Sequence, residues 1–267
     1  MNATLCVAAL IYYRGWIRLR EVLPTVSSRW WPYAFLGGLF ALWAAIGSPL
    51  AALDEELLSV HMAQHILLSL VGAPLVLLGA PALPFLYGIP RRFMLRDGVA
   101  RLLRLRFLRA LGRALAQPAI CWSVAMGVFI GWHIPPLFQL GLRSEGWHAV
   151  EHASFFGSGL MFWWPVVQPW PSTPKWPRWS VPLYLFAATL PCDALSAFLA
   201  FSDRVVYPAY LSAPRHFGMS ALQDQECAGA LMWLCVTIAY VIPAAIVTTK
   251  LLSPATEDLV TRLQGIP

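Results

Sequence analysis

Apolar stretches of about twenty residues alternate with short charged or proline-rich segments along nearly the whole chain. A helix needs roughly 20 mostly apolar residues to cross a bilayer, and it satisfies its own backbone hydrogen bonds there. The alternating pattern of an outer-membrane barrel does not occur in the sequence. We therefore predict an all-α polytopic membrane protein with one domain over residues 1–267. Its seven transmembrane helices are expected at about 1–17, 30–53, 57–78, 118–140, 147–167, 181–201 and 229–252.

The composition supports this class. The chain is 58% hydrophobic and 12% charged, whereas an average soluble domain is about 25% charged. The net charge of +6 is explained by membrane topology and does not indicate a nucleic-acid partner. Five cysteines stand singly and do not form a disulfide framework.

Two segments between the spans have a marked composition. The stretch from Arg91 to Arg113 places most of its leucines and arginines on opposite sides of a helical wheel, but Arg104 interrupts the apolar side. An interfacial helix on an anionic leaflet and a solvated basic loop both fit this pattern. Residues 170–179 are rich in proline, which excludes a regular helix, and in tryptophan, which is typical of the headgroup region.

The basic residues predict the orientation. The first apolar stretch carries its positive charge after the apolar core, at Arg14, so we interpret it as a span rather than a signal peptide. With seven spans, 16 of the 19 Lys and Arg residues fall on one side of the membrane and three on the other. The positive-inside rule makes the first side cytoplasmic. The N-terminus is then outside and the C-terminus in the cytoplasm.

The histidines are the main candidates for chemistry. His61 and His65 share one helical face near the start of the third span, and His148 and His152 repeat the same spacing at the start of the fifth. His133 lies near the end of the fourth span. In the predicted topology all six histidines, including His216, lie on the extracytoplasmic side. We interpret His61, His65, His133, His148 and His152 as candidate metal ligands, although histidines at this depth also occur as ordinary packing residues.

Sulfur-containing residues are secondary candidates. Met62, Met219, Met232 and Cys227 could supply soft donors, which favour Cu(I) over Cu(II). Methionine in an apolar helix is more often a core residue, and Met62 is off the face that His61 and His65 share.

Three acidic residues complete the set of candidates. Glu151 can orient an imidazole as a carboxylate behind it. With His148 and His152 it also matches H-x-x-E-H, a zinc-peptidase pattern that leaves the other histidines without a role. Asp193 lies within the sixth span, where carboxylates are functional candidates. Asp224 either caps the seventh span or belongs to the site.

Several motifs together resemble one known family. They are HMAQH at 61–65, GAPLVLLGAP at 72–81, WHIPP at 132–136, HAVEH at 148–152, YPAY at 207–210 and DQECAGALMW at 224–233. In order and spacing they are similar to the polytopic CtaG cytochrome c oxidase assembly factors, from about Tyr12 to the last span. His216 departs from the expected aromatic residue, so no family role is carried onto it.

The resemblance implies a seven-span protein of a bacterial cytoplasmic (inner) membrane that helps to mature a haem–copper oxidase through copper. The expected partners are cytochrome c oxidase subunits, an extracytoplasmic copper donor and the lipid bilayer, and no enzymatic turnover is implied. Two alternatives stay open: a bis-histidine haem protein and an interaction-only scaffold. Imidazole suits zinc and iron as well as copper.

We predict that Gly98→Cys, in a background without the native cysteines, is not modified by a membrane-impermeant thiol reagent in intact cells. The reason is the strong bias of basic residues towards that side. Ala213→Cys, in an expected outer loop, is the positive control. Labelling of Gly98→Cys in intact cells would contradict the topology.

Overall fold

The computed structural model describes residues 2–89, 107, 112, 114–169, 176–214 and 216–253, and these ranges contain helices and connecting turns without a strand. The predicted all-α class is confirmed. The α-helices assigned there are α1 (Asn2–Val22), α2 (Trp31–Ile46), α3 (Leu58–Ile66), α4 (Ala73–Leu78), α5 (Ala82–Gly88), α6 (Pro118–His133), α7 (Pro135–Arg143), α8 (Glu145–Val167), α9 (Ser180–Phe201) and α10 (Ala221–Leu252).

Several helices in these ranges are consistent with a multi-pass membrane protein. Four stretches are long and apolar enough to cross a bilayer: Trp31–Leu53, Leu58–Leu78, Ser180–Phe201 and Ala221–Leu252. The pair α6 and α7, bent by 78°, makes a fifth if it is counted as one span. Neither α1 nor α8 is among them. The count of seven and the orientation of the termini stay predictions.

Several expected spans differ from the helices observed. The second span breaks after Ile46, and a 3-10 helix at Pro49–Leu53 follows. The fourth span is not one helix over 118–140, because Ile134 precedes two prolines and takes an extended ψ of 124°. The helix of the seventh span, α10, begins at Ala221 rather than at 229, because Ser220 and Gln223 form a capping box.

The basic segment 91–113 lies outside the described residues except for Phe107 and Gly112. Residues 170–175 of the tryptophan- and proline-rich segment also lie outside them. The interfacial helix or basic loop at 91–113 and the headgroup position of residues 170–179 therefore remain untested predictions.

The third span, from Leu58 to Leu78, contains a π-helical segment at Leu67–Gly72, directly after the two histidines of α3. Such π-turns are rare and are often found at functional sites. The indole of Trp163 on α8 donates a hydrogen bond to the Ser69 carbonyl at 2.9 Å. Gly159 allows the two backbones to approach, since a Cβ there would lie 3.0 Å from the Ser69 Cα. These contacts set α8 against the histidine-bearing helix.

The start of α3 is held by a residue from the far end of the chain. The Leu58 and Ser59 N–H groups donate to the two carboxylate oxygens of Asp224 at 2.6 and 3.2 Å. Free N–H groups in the first turn of a helix need such acceptors. The prediction that Asp224 caps the seventh span is therefore wrong: Ser220 caps that helix, and Asp224 caps α3.

We predict that Asp224→Ala destabilises the protein by about 1–3 kcal/mol, because it leaves buried backbone donors of α3 without an acceptor. Glu226→Ala, an exposed change on the same helix, is the matched control. Thermal unfolding of the two variants in detergent checks this. Equal unfolding temperatures would show that the cap contributes nothing.

Candidate metal centre

The fold brings the two histidine pairs together between α3 and α8. His61 and His65 have ring centroids 4.4 Å apart, and His148 and His152 have theirs 4.2 Å apart. The rings of His61 and His148 stack across the two helices at 5.4 Å. Matched spacing on two adjacent helices thus produces one cluster of four imidazoles.

The first group of ligand atoms contains His61, His65 and Glu151. The Glu151 Oε1 atom lies 3.4 Å from His61 Nε2 and 3.3 Å from His65 Nε2. One candidate ligand atom from each residue lies within 4.8 Å of the others. His61 and Glu151 are fully buried. Two imidazoles and a carboxylate in this arrangement form a donor set that Zn²⁺, Fe²⁺ and Cu²⁺ all accept.

The second group contains Asp54, His148 and His152, which meet the same 4.8 Å limit. The Asp54 Oδ2 atom lies 3.6 Å from His148 Nε2 and accepts a hydrogen bond from the Gln64 amide at 2.9 Å. Asp54 is not among the ligand candidates that the sequence predicted. The only signal was its position in the acidic run that precedes the first histidine pair.

Many polar atoms in the cluster have no hydrogen-bond partner in the described part of the chain. They are His61 Nδ1, both ring nitrogens of His65, His148 Nε2, His152 Nε2 and Glu151 Oε2. Buried polar groups are nearly always hydrogen-bonded, and leaving them unpaired is costly. A cation bound among these lone pairs would satisfy several of them at once. The cluster therefore fits a metal ion.

Aromatic rings fix the positions of two imidazoles. His65 stacks on Phe155 with centroids 3.9 Å apart, and His61 lies 5.0 Å from the Phe138 ring. Gly141 on α7 leaves room for Glu151, because a Cβ at position 141 would overlap the Glu151 Oε2 atom. The broken fourth span thus places α7 against the carboxylate.

The segment that contains YPAY donates hydrogen bonds to the backbone of His133 and Asp54. The Tyr207 hydroxyl donates to the His133 carbonyl at 3.0 Å, and the Tyr210 hydroxyl donates to the Asp54 carbonyl at 2.9 Å. Burial, and then the nearby carboxylates, hold the pKa of Tyr210 well above its usual value. The phenol therefore stays protonated and remains a donor. Gln225 anchors the chain leading into this segment by accepting from the Val206 N–H at 2.7 Å.

His133 lies beside the cluster but is not in either group. Its Nδ1 atom is 2.7 Å from the Phe129 carbonyl, and its Nε2 atom is 3.3 Å from the Met62 sulfur. Its ring centroid is 6.2 Å from that of His65. Met62 is fully buried, on the side of α3 that faces His133.

The other secondary candidates are not in the two groups. Cys227 is exposed on α10, and Asp193 lies on α9, where its Oδ1 atom is buried without a hydrogen-bond partner. Met232 is buried in the same core cluster as Met62. Their roles as ligands stay predictions, and the structure gives none of them a place among the histidine and carboxylate atoms.

The peptidase pattern is divided between the two groups. His148 and His152 lie with Asp54, whereas Glu151 lies with His61 and His65. In a zinc peptidase of this pattern, His148 and His152 would hold the zinc ion and Glu151 would act as the base beside it. The contacts do not favour that arrangement, because Glu151 lies with the other histidine pair. The division instead makes α8 contribute ligand candidates to both groups.

Comparison with other proteins identifies relatives. The chain is 27% identical over 240 residues to an uncharacterized protein of Mycobacterium tuberculosis, a match that covers 85% of this chain and 34% of that protein. It is 23% identical over 249 residues to one of Mycobacterium leprae, covering 91% of this chain and 37% of that protein. The chain thus spans about a third of the length of these relatives. No solved structure matches it.

The family assignment comes from a match over most of the chain. The model of the cytochrome c oxidase caa3 assembly factors covers residues 10–253. That range includes both groups of ligand candidates and all the motifs on which the resemblance rests. The chain therefore belongs to the Caa3_CtaG family of cytochrome c oxidase assembly factors.

Proposed function

We propose that this protein helps to assemble a haem–copper cytochrome c oxidase by binding copper at the cluster between α3 and α8 and passing it to a nascent oxidase subunit. It would act in the bacterial cytoplasmic membrane, with the cluster on the extracytoplasmic side and without chemical turnover. The observation that carries the proposal is the pair of adjoining groups, Asp54–His148–His152 and His61–His65–Glu151, with unpaired ligand atoms.

The choice of copper rests on the enzyme that the family helps to assemble, a cytochrome c oxidase of the haem–copper type. Imidazole and carboxylate ligands alone also suit zinc. The geometry favours an ion over haem. The cavity beside the cluster has a volume of about 60 Å³, whereas pockets for organic ligands have roughly 300–1,000 Å³. The imidazoles also contact one another and aromatic rings directly.

The two groups differ in their access to solvent, which supports a direction of transfer. The His148 and Asp54 side chains are 17% and 10% exposed, whereas those of His61 and Glu151 are fully buried. The stacked rings of His61 and His148 connect the groups. Copper from an extracytoplasmic donor would meet the Asp54 group first and move inward to the Glu151 group.

We predict that His61→Ala and His148→Ala each bind less copper than the wild type, because each removes a ligand from one group. His216→Ala, a change at the histidine to which we assign no role, is the control. Metal content after anaerobic purification in detergent measures this, with Cu(I) and Zn(II) loaded separately. Wild-type metal content in both variants would leave an interaction-only scaffold as the better explanation.

We predict that Gly141→Ala lowers copper affinity by about 10–100-fold, the usual cost of disturbing a residue that orients a metal site. The added methyl group would push the Glu151 carboxylate out of place, and the flexible side chain could move without unfolding the protein. Gly146→Ala is the matched control, because a Cβ there meets no atom within 4 Å. Competition titration checks this, and equal affinities would remove Glu151 from the site.

A further inference from the structure

A cavity whose lining includes methionine and cysteine side chains adjoins the histidine cluster. It lies between α3, α6, α8, α9 and α10. The side chains in its lining that can offer a nitrogen or sulfur donor are Met62, His65, Met126, His133, Cys192 and Met232. The chain has seven methionines, and the three in this lining come from three different helices. The carboxylates of both metal-binding groups are absent from the lining that the structure describes.

The contact between His133 and Met62 is the unusual feature of this cavity. A carbonyl oxygen only accepts hydrogen bonds, so the Nδ1 atom of His133 carries a hydrogen and donates it to Phe129 at 2.7 Å. In the neutral imidazole the Nε2 atom then presents a lone pair. That lone pair faces the Met62 sulfur at 3.3 Å, and a thioether has no hydrogen to donate.

Two lone-pair atoms therefore face each other in a buried place. His133 is 6% exposed, and Met62 is completely buried. Methionines often serve only to fill a core. Core filling alone does not explain why the Met62 sulfur faces the lone pair of the His133 Nε2 atom. A soft cation placed between the two atoms would bind both lone pairs.

We propose that Met62 Sδ and His133 Nε2, with the Met232 sulfur as third donor, form a separate binding site for a soft monovalent cation of the Cu(I) class. Met232 is 3% exposed and packs in the same buried cluster as Met62. Thioether and imidazole donors without a carboxylate select Cu(I) over Zn²⁺ and other harder ions. The site does not depend on metal binding by the histidine–carboxylate groups.

The two kinds of site would divide the ions by chemistry. The histidine–carboxylate groups accept divalent ions, whereas the sulfur site holds the monovalent ion in an apolar cavity. His65 lines the cavity and also belongs to the Glu151 group. The sulfur site and the histidine cluster are therefore adjacent. A monovalent copper ion would thus have a place separate from that of a divalent one.

Titration of the 267-residue chain in detergent with Ag(I) tests the site, since Ag(I) is a soft monovalent ion that keeps its oxidation state. The double variant Met62→Leu/Met232→Leu should lose one equivalent of Ag(I) and keep its Zn(II) binding. Met161→Leu, outside the cavity lining, should bind Ag(I) like the wild type. Wild-type Ag(I) stoichiometry and affinity in the double variant would overturn the proposal.

A measurement on the unaltered chain covers the case in which the double variant fails to fold. Selenomethionine-labelled protein loaded with Cu(I) should show copper–selenium scattering in X-ray absorption at the copper edge. Copper surrounded only by nitrogen and oxygen would refute the sulfur site and leave the histidine–carboxylate proposal intact. Conversely, a loss of Zn(II) binding in His61→Ala with Ag(I) binding retained would support two separate sites.

Discussion

The packing of four imidazoles from α3 and α8 against the carboxylates of Asp54 and Glu151 is the constraint on which the rest of the structure depends. Unpaired polar groups in an apolar interior are costly, so this arrangement needs support from every side. Phe138 and Phe155 position two of the rings. Tyr210 and Gln64 hold Asp54 through its carbonyl and its carboxylate. Residues from several helices and connecting segments thus hold the cluster in its geometry.

The same constraint explains the irregular parts of the helices. Asp224 caps the start of α3 from another helix, and the π-helical segment after His65 is held by the Trp163 indole. The break at Ile134 lets α7 reach the Glu151 carboxylate through Gly141. Each irregularity lies next to a ligand candidate, which is where proteins tend to depart from ideal geometry.

Local patterns in the sequence predicted what local physics controls. The all-α class follows from apolar run length, and the shared faces of the two histidine pairs follow from helical periodicity. The contacts of Asp224 could not be found this way, because its partner Leu58 is 166 residues away. The fourth span was predicted as one helix because the sequence stays apolar beyond Pro135. The two prolines nevertheless indicate the break that the structure shows at Ile134. The facing of His133 and Met62 depends on how α3 and α6 pack, which no spacing within one helix reveals.

The copper content of the oxidase itself tests the central claim most directly. The host's haem–copper oxidase would be purified from cells grown at limiting copper, with either the wild-type chain or the double variant His61→Ala/His148→Ala as the only copy of the factor. We expect a normal haem content and a reduced copper-to-haem ratio with the variant, provided that immunoblotting shows equal amounts of the two proteins in the membrane. A wild-type copper-to-haem ratio would contradict a role of this cluster in supplying copper.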